Sequence, residues 1–506
     1  MRSFWRRWGK VILIALGLVT AYFITRLINL TKLPIFTDEA IYIRWSQIGE
    51  RDANWRFISL TDGKQPLFTW IMMVFLRLLP TDPLFSGRLV SVLAGLGTLV
   101  GLWFLAYELF KSRRIAILAS FLYLISPFGL VYDRMALYDS LVAAFYVWNL
   151  YLGILLARYQ RLDAALILGL TLGAGMLNKS SGFLSLYLLP TTILVFSWRK
   201  VNRLKQLARW VGLLLVSAVL SQLVYSVLRL SPLLHMVTQK DALFVYSFHE
   251  WLSHPWQFFI GNFKGLSDWL VRYLSKPLLV VSLLPLVFFW RQGRAKALLY
   301  LWWLAPFIAL ALFGRVLYPR FILFMAMPLL ILAAIPLAWL LGRWGRKVFC
   351  WIILLVIVWP SLYTDYFVIA NPLYAPIPYA DRGQYIDSWP SGWGIKEVNQ
   401  YLGEQAKHGK AAVYTEGTFG LLPAAIEIYL VDNPNLKIRG IWPLPQDPPA
   451  EILKDAAEIP TFLVLSQTQE LPAGWPLKLI AAYQKGTHPT RKLRFLQVVP
   501  GPARKL

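Results

Sequence analysis

The sequence predicts a polytopic α-helical membrane protein of about eleven spans, at most about thirteen, followed by a small α/β domain. Three observations carry that reading. The 506 residues are 57% hydrophobic and include 23 Trp. Apolar runs near the ~20 residues needed to cross hydrocarbon recur through the first two-thirds of the chain. Basic residues gather in short segments between those runs, at Lys111/Arg113/Arg114, Arg158/Arg161, Arg199 to Arg209, Arg291/Arg294/Lys296 and Arg343/Arg346/Lys347, as the positive-inside rule expects of cytoplasmic loops. Beyond residue 370 the long apolar runs stop, and short amphipathic and β-rich segments alternate. The net charge of +25 is therefore a topological signal rather than the footprint of a nucleic-acid-binding surface. A lone cysteine, Cys350, excludes an intrachain disulfide.

Taken in order, Arg2, Arg6, Arg7 and Lys10 precede a first span over 11–30 and place the N-terminus in the cytoplasm. No small-residue cleavage site follows, so this span is expected to stay as a signal anchor. Residues 31–87 form an outer segment with a short helix from Asp38, on which Ile41, Trp45 and Ile48 share one face. The apolar stretch 66–79 is too short to span and is expected to lie at the interface or re-enter. Spans follow at 88–110, 115–132, 140–157, 164–179, 181–197, 210–230, 277–290, 299–313, 321–341 and 348–368, with a second outer loop at 231–276. Alternation puts Asp38, Glu39, Asp62, Asp133, Asp139, Asp241, Glu250 and Asp268 on the outer side, and Glu108 and Asp163 on the inner side. Residues 1–370 thus form a transmembrane module and 371–506 an extracytoplasmic α/β domain. In that domain an aromatic, Pro-rich connector (371–393) leads to helices at 394–408, 419–430 and 450–457. Strands are expected at 411–415, 436–441, 461–465, 477–483 and 493–499. The domain has no glycine-rich phosphate loop.

Acids at membrane margins point to function because a charge at the bilayer centre costs roughly 2.5–3.5 kcal/mol on insertion scales. Phe36-Thr37-Asp38-Glu39-Ala40 sets two carboxylates there. Asp38 reads either as a helix N-cap or as a general base, and a cap leaves Glu39 unexplained. Lys64, where the outer segment returns to the membrane, suits a phosphate at headgroup depth or simple snorkelling. Asp133-Arg134 reads as a structural pair, and Asp139 as a cap or a second carboxylate on Asp38's side. Lys179 ends an apolar span, and Arg315, Tyr318 and Arg320 form an outer turn from which Arg320 can grip a phosphate in two-pronged fashion. His249-Glu250-Trp251-Leu252-Ser253-His254 nearly spells a zinc-protease motif. Its histidines, five residues apart, sit about 140° apart on a helix, which excludes that chemistry; a single histidine there can still touch a substrate.

The succession of an outer Asp-Glu, a Lys-x-Pro-Leu return, RLVSVLAGLGTLVGLWFLAYELF, DRMALYDSL, LGAGMLNKSSG and YPRFILFMAMPLLIL resembles the GT-C membrane glycosyltransferases, in the protein O-mannosyltransferase and aminoarabinose transferase branch. The resemblance runs over residues 10–340. It implies transfer of a sugar from a polyprenyl-phosphate donor to a protein, lipid or glycan acceptor outside the cytoplasm, with inversion and with no cofactor or metal required. Residue by residue, it implies Asp38 as base, Glu39 and Asp139 orienting acceptor or sugar, and Lys64 and Arg320 on the departing phosphate. Arg134 and Lys179 are carried as further phosphate ligands, and Tyr318 and His249 as substrate-loop contacts. Gln65, often Pro in the family, and Phe321, usually Tyr, depart from the pattern. The setting implied is a multi-pass protein of the cell membrane. A secondary transporter should instead show mid-membrane charges or repeated interrupted helices, and a noncatalytic scaffold would use the tail to recruit envelope partners.

Overall fold

The computed structural model describes residues 2–198, 202–288 and 291–499. Arg199 of the basic cluster, and the side chains of Arg2, Arg6 and Arg7, lie outside the described set. Seven helices are long and apolar enough to cross a membrane, or nine if two bent pairs each count as one span. Leu162–Asn178 and Ser180–Val195 are shorter apolar segments, and together these segments match the expected span positions. The chain is a multi-pass membrane protein.

The first helices in chain order are α1 (Arg2–Leu27), α2 (Thr37–Arg51), α3 (Leu67–Leu78), α4 (Pro83–Phe110), α5 (Arg113–Leu124), α6 (Pro127–Asp133), α7 (Asp139–Tyr159) and α8 (Leu162–Asn178). α3 has the 12 residues of a segment too short to span. The expected span at 115–132 is broken: α5 and α6 meet at 57°, because Pro127 cannot continue the helix before it. The helix Phe259–Leu274 and its successor Lys276–Val287 meet at 106°, turned by Ser275 at φ 66° before Lys276-Pro277. The second outer loop is therefore mostly helical. Residues 181–197 form largely 3-10 turns around Pro190. Leu323–Trp344 is the central helix, buried along most of its length, whereas α1 and Val348–Ala370 are mostly unburied in the protein.

Two buried charge knots tie these helices together. Glu39 is fully buried, and both of its oxygens meet the equally buried Arg88 guanidinium of α4, at 2.8 and 2.7 Å. Arg88 also donates to the carbonyls of Leu30, Leu33 and Pro34, while Glu39 accepts from the amides of Phe36 and Ala136. One ion pair thus joins the first outer loop, α2, α4 and the turn after α6. In the second knot Asp133 accepts from Tyr22, Tyr123, Ser140 and Arg26. The absence of a side chain at Gly95 makes room for it, since a Cβ there would lie 2.3 Å from the Asp133 carboxylate.

The tail is an α/β unit in which every expected strand forms: β1 (Ala411–Glu416), β2 (Leu436–Ile441), β3 (Thr461–Leu465), β4 (Leu477–Gln484) and β5 (Lys492–Val498). The order is β2-β1-β3-β5-β4, with β2, β1 and β3 parallel and β5 antiparallel to both neighbours. Helices Ile395–His408, Leu421–Leu430 and Ala450–Glu458 complete it. α2 packs against Leu421–Leu430: Arg44 pairs with Glu427 at 2.8 Å, and Gln47 donates to the Ile428 carbonyl. The helix that begins at the membrane margin is thereby clamped by the tail.

Candidate active site

A cavity of about 400 Å³ gathers Asp38, Lys64, Asp139, Lys179, Asp241 and Arg320 on its wall. Each arrives for a local reason. Residues 38 and 39 stand about 100° apart on α2, so only one can face inward to Arg88. Glu39 does so, and its carboxylate reaches back to the Phe36 amide, capping the helix. The cap expected of Asp38 therefore belongs to its neighbour, and the Asp38 carboxylate is left at the cavity, where Arg320 donates to it at 3.0 Å. Arg320 sits in a 3-10 turn, Pro319–Ile322, that leads into the central helix. Its guanidinium lies 4.8 Å from the Tyr318 ring centroid and 5.6 Å from that of Phe36, and 3.4 and 3.5 Å from the Gln384 and Tyr385 oxygens. Such close approach to aromatic rings is a cation–π contact, which guanidinium favours.

Asp139 opens α7 and Lys179 follows the last turn of α8; they pair at 2.6 Å. Lys240 pairs with Asp62, also at 2.6 Å. Lys64 differs from these cations. Among the described residues it has no carboxylate partner, and its ammonium rests 5.3 Å from the Phe244 ring centroid. Burial pulls its pKa down to about 8, aided by Lys179, Arg320 and Lys240 and opposed by Asp38. Desolvation likewise pushes the Asp241 carboxyl upward. A half-buried lysine with no carboxylate partner among the described residues, within electrostatic reach of Arg320, is a ready place for an anion.

Four expected site residues lie off the cavity wall. Glu39 is sealed in the knot with Arg88 and cannot orient a sugar. Arg134 turns away from the cavity to the end of α1, where it donates to the carbonyls of Thr25, Arg26, Ile28 and Asn29. It satisfies groups a helix C-terminus leaves open and does not line the cavity. His249 is exposed on the short helix Phe248–Ser253 and lines a separate hollow with His254 and Arg315. In the same helix Glu250 caps Ser247 and pairs with Arg315. Tyr318 stands behind Arg320 and is not part of the cavity wall. The sequence reading did not single out Lys240, Tyr42 or Tyr138 of the wall, nor Gln384 and Tyr385 behind Arg320. The only signal for the last two was their place in a Pro-rich connector. His249→Ala is expected to keep activity within about twofold of the parent, as for a surface residue remote from the chemistry, and a transfer assay checks it.

Residues 63–225 match the family described as dolichyl-phosphate-mannose-protein mannosyltransferase. Over 326 residues the chain is 27% identical to the undecaprenyl phosphate-alpha-4-amino-4-deoxy-L-arabinose arabinosyl transferase of Pseudomonas aeruginosa, covering 60% of this chain. It spans about half (54%) of the length of that relative. The structure of ArnT from Cupriavidus metallidurans in the apo state superposes with a TM-score of 0.53 at 16% identity, covering 98% of this chain and 99% of that one. The chain shares the fold of ArnT. ArnT bound to undecaprenyl phosphate gives a TM-score of 0.54 at 14% identity, with 98% and 99% covered. The archaeal oligosaccharyltransferase AglB from Archaeoglobus fulgidus, in complex with an inhibitory peptide and a dolichol-phosphate, gives 0.54 at 14%, covering 96% and 74%. The family match includes Lys64, Asp139 and Lys179; Asp38 and Arg320 flank it in sequence and join these residues on the cavity wall.

Proposed function

We propose that this protein is an integral-membrane glycosyltransferase that moves a sugar from a polyprenyl-phosphate donor to an acceptor on the extracytoplasmic side. The observation that carries the reading is one cavity walled by a carboxylate, Asp38, and by the cations Lys64 and Arg320. The related proteins support it by name: an undecaprenyl-phosphate-dependent transferase and a fold relative bound to undecaprenyl phosphate. The acceptor hydroxyl gives its proton to Asp38 as its oxygen bonds to the anomeric carbon. The carbon–phosphate oxygen bond breaks on the opposite face, with inversion, and the charge left on polyprenyl phosphate is met by Lys64 and Arg320. Arg320 is held by Asp38 in the free protein, so an arriving phosphate exchanges one partner for another and leaves the carboxylate available as base. Asp139 and Lys179 act as a pair next to them, with the Lys179 ammonium 4.6 Å from the Phe321 ring centroid. The N-terminus is cytoplasmic and the tail extracytoplasmic, in the cell membrane, by the distribution of Lys and Arg between loops.

Single-turnover incubation of the nanodisc-embedded protein with a radiolabelled polyprenyl-phosphate sugar and an envelope extract tests this. Label should pass to acceptor with release of polyprenyl phosphate. Uptake of the donor with its bond intact would support a transporter, and binding alone a scaffold.

The Lys64 ammonium adds a pH signature. A phosphodiester donor carries one fixed charge across pH 7–10, whereas Lys64 is charged below about 8 and neutral above it. If only the ammonium form binds, donor affinity falls roughly tenfold per pH unit above 8. Lys64→Arg, charged throughout, should remove that inflection. Isothermal titration at pH 7, 8, 9 and 10 reads it, and a flat wild-type profile would exclude Lys64 from the phosphate site.

A further inference from the structure

A second hollow, of about 270 Å³, lies in the tail at the carboxyl ends of the three parallel strands. β1 and β3 are neighbours whose following connections leave in opposite directions, the one toward β2 and the other toward β4. At such a switch point the chain parts and a crevice opens. Its walls are built with care. Gly417, at φ 99°, turns the chain off β1, and its amide bonds to the Ile441 carbonyl at 2.8 Å. The bare Cα of Gly440 admits that loop, since a Cβ would meet the Gly417 carbonyl at 2.3 Å. The Glu416 carboxylate accepts from the amides of Ser466, Gln467 and Thr468, at 2.7–3.1 Å, and so fixes the loop after β3.

The lining is aromatic and uncharged in effect. Trp389, Phe419 and Trp442 keep 44%, 57% and 56% of their surface exposed, which is unusual for three large rings around one concavity. Glu416, its one carboxylate, is consumed by backbone amides, and no lysine or arginine lines the hollow. Among the described residues neither indole N–H has a partner, and the Gln467 side chain adds an amide at the rim. Apolar ring faces with a few convergent neutral donors and acceptors suit a neutral saccharide, whose C–H faces stack on rings while its hydroxyls hydrogen-bond. Lys485, fully buried behind the wall, spends its ammonium on the Trp389 and Ser391 carbonyls and the Ser466 hydroxyl, so a phosphate or a carboxylate meets no exposed cation there.

Position ties this hollow to the cavity. Residues flanking two of its rings, Pro390 and Gly420, approach Thr37, the residue before Asp38. Its amide and hydroxyl each donate to the carbonyl of Pro390, next to Trp389, at 3.0 Å. A Cβ at Gly420, next to Phe419, would lie 3.8 Å from the Thr37 methyl, and the Phe419 ring sits 6.1 Å from that of Trp45 on α2. We infer that the crevice formed by Trp389, Phe419, Trp442 and Gln467 is a neutral-saccharide subsite that holds the acceptor glycan beside Asp38. This rests on the transferase reading above and names the acceptor class.

The test is binding, read separately from donor binding. Wild-type protein in nanodiscs is mixed with maltotetraose, mannotetraose and chitotetraose and followed by saturation-transfer NMR. Binding of a photo-cross-linkable polyprenyl phosphate is measured in parallel. At least one tetrasaccharide should receive saturation, and Trp442→Ala and Phe419→Ala, both at exposed positions, should weaken it about tenfold with polyprenyl-phosphate cross-linking unchanged. No saturation from any of the three, saturation indifferent to both substitutions, or Trp442-dependent binding of an unstructured peptide pool in place of the sugars would overturn the subsite. Loss of polyprenyl-phosphate cross-linking with saccharide binding intact would instead tell against the donor reading.

Discussion

Asp38→Asn should lower the rate of sugar transfer by at least about 10²-fold, and up to about 10⁴-fold, the range a positioned general base contributes. Donor binding should not fall. The amide removes the proton acceptor and little else, because the residue is partly exposed at the cavity wall and Arg320 retains Gln384 and Tyr385 beside it. Losing the carboxylate also frees Arg320 for phosphate, so donor affinity should hold or rise. Single-turnover rates and donor titration on the same preparation separate the two effects. A variant that keeps full turnover would remove Asp38 as base, whereas one that loses donor binding would make Asp38 a phosphate-site organiser.

Glu39→Ala should be harmful by another route. It strands the Arg88 guanidinium in a fully buried position, and breaking one partner of a buried ion pair costs about 3–5 kcal/mol. It also releases the Phe36 and Ala136 amides. We expect a lower unfolding temperature in detergent and a loss of folded yield, with the surviving folded fraction still able to turn over. Thermal unfolding followed by tryptophan fluorescence, with specific activity per folded molecule, checks it. A variant that melts like the parent yet transfers nothing would return Glu39 to the chemistry. Two adjacent acids thus carry opposite predictions, one kinetic and one structural.

Why the sequence could not separate them is a matter of scale. Position at a membrane margin and residue type were legible, and they brought out Asp38, Lys64, Asp139, Lys179 and Arg320, which do share one wall. Which of two neighbouring carboxylates turns inward depends on Arg88, 49 residues away on another helix, and no local pattern encodes that. Arg134 failed for the same reason, since its partners are carbonyls at the end of α1, which a sequence does not display. His249 was only a histidine in a loop on the outer side. The tail was readable strand by strand because period-two alternation and short amphipathic helices are local signals. The breaks at Pro127 and at Ser275 before Lys276-Pro277 were visible as residues, but hydropathy windows average over them. Gln384 and Tyr385, placed in a connector without periodicity, gave no sign that they stand behind Arg320.

The most direct measurement is a cryo-EM structure of the nanodisc-embedded protein with a non-transferable polyprenyl-phosphonate sugar. The account predicts the phosphonate within hydrogen-bond reach of Lys64 Nζ and the Arg320 guanidinium, with the Asp38 carboxylate released from Arg320 and facing the anomeric carbon from the opposite side. A phosphonate seated away from both cations, or an Asp38 that still holds Arg320 with the sugar beyond its reach, would contradict it.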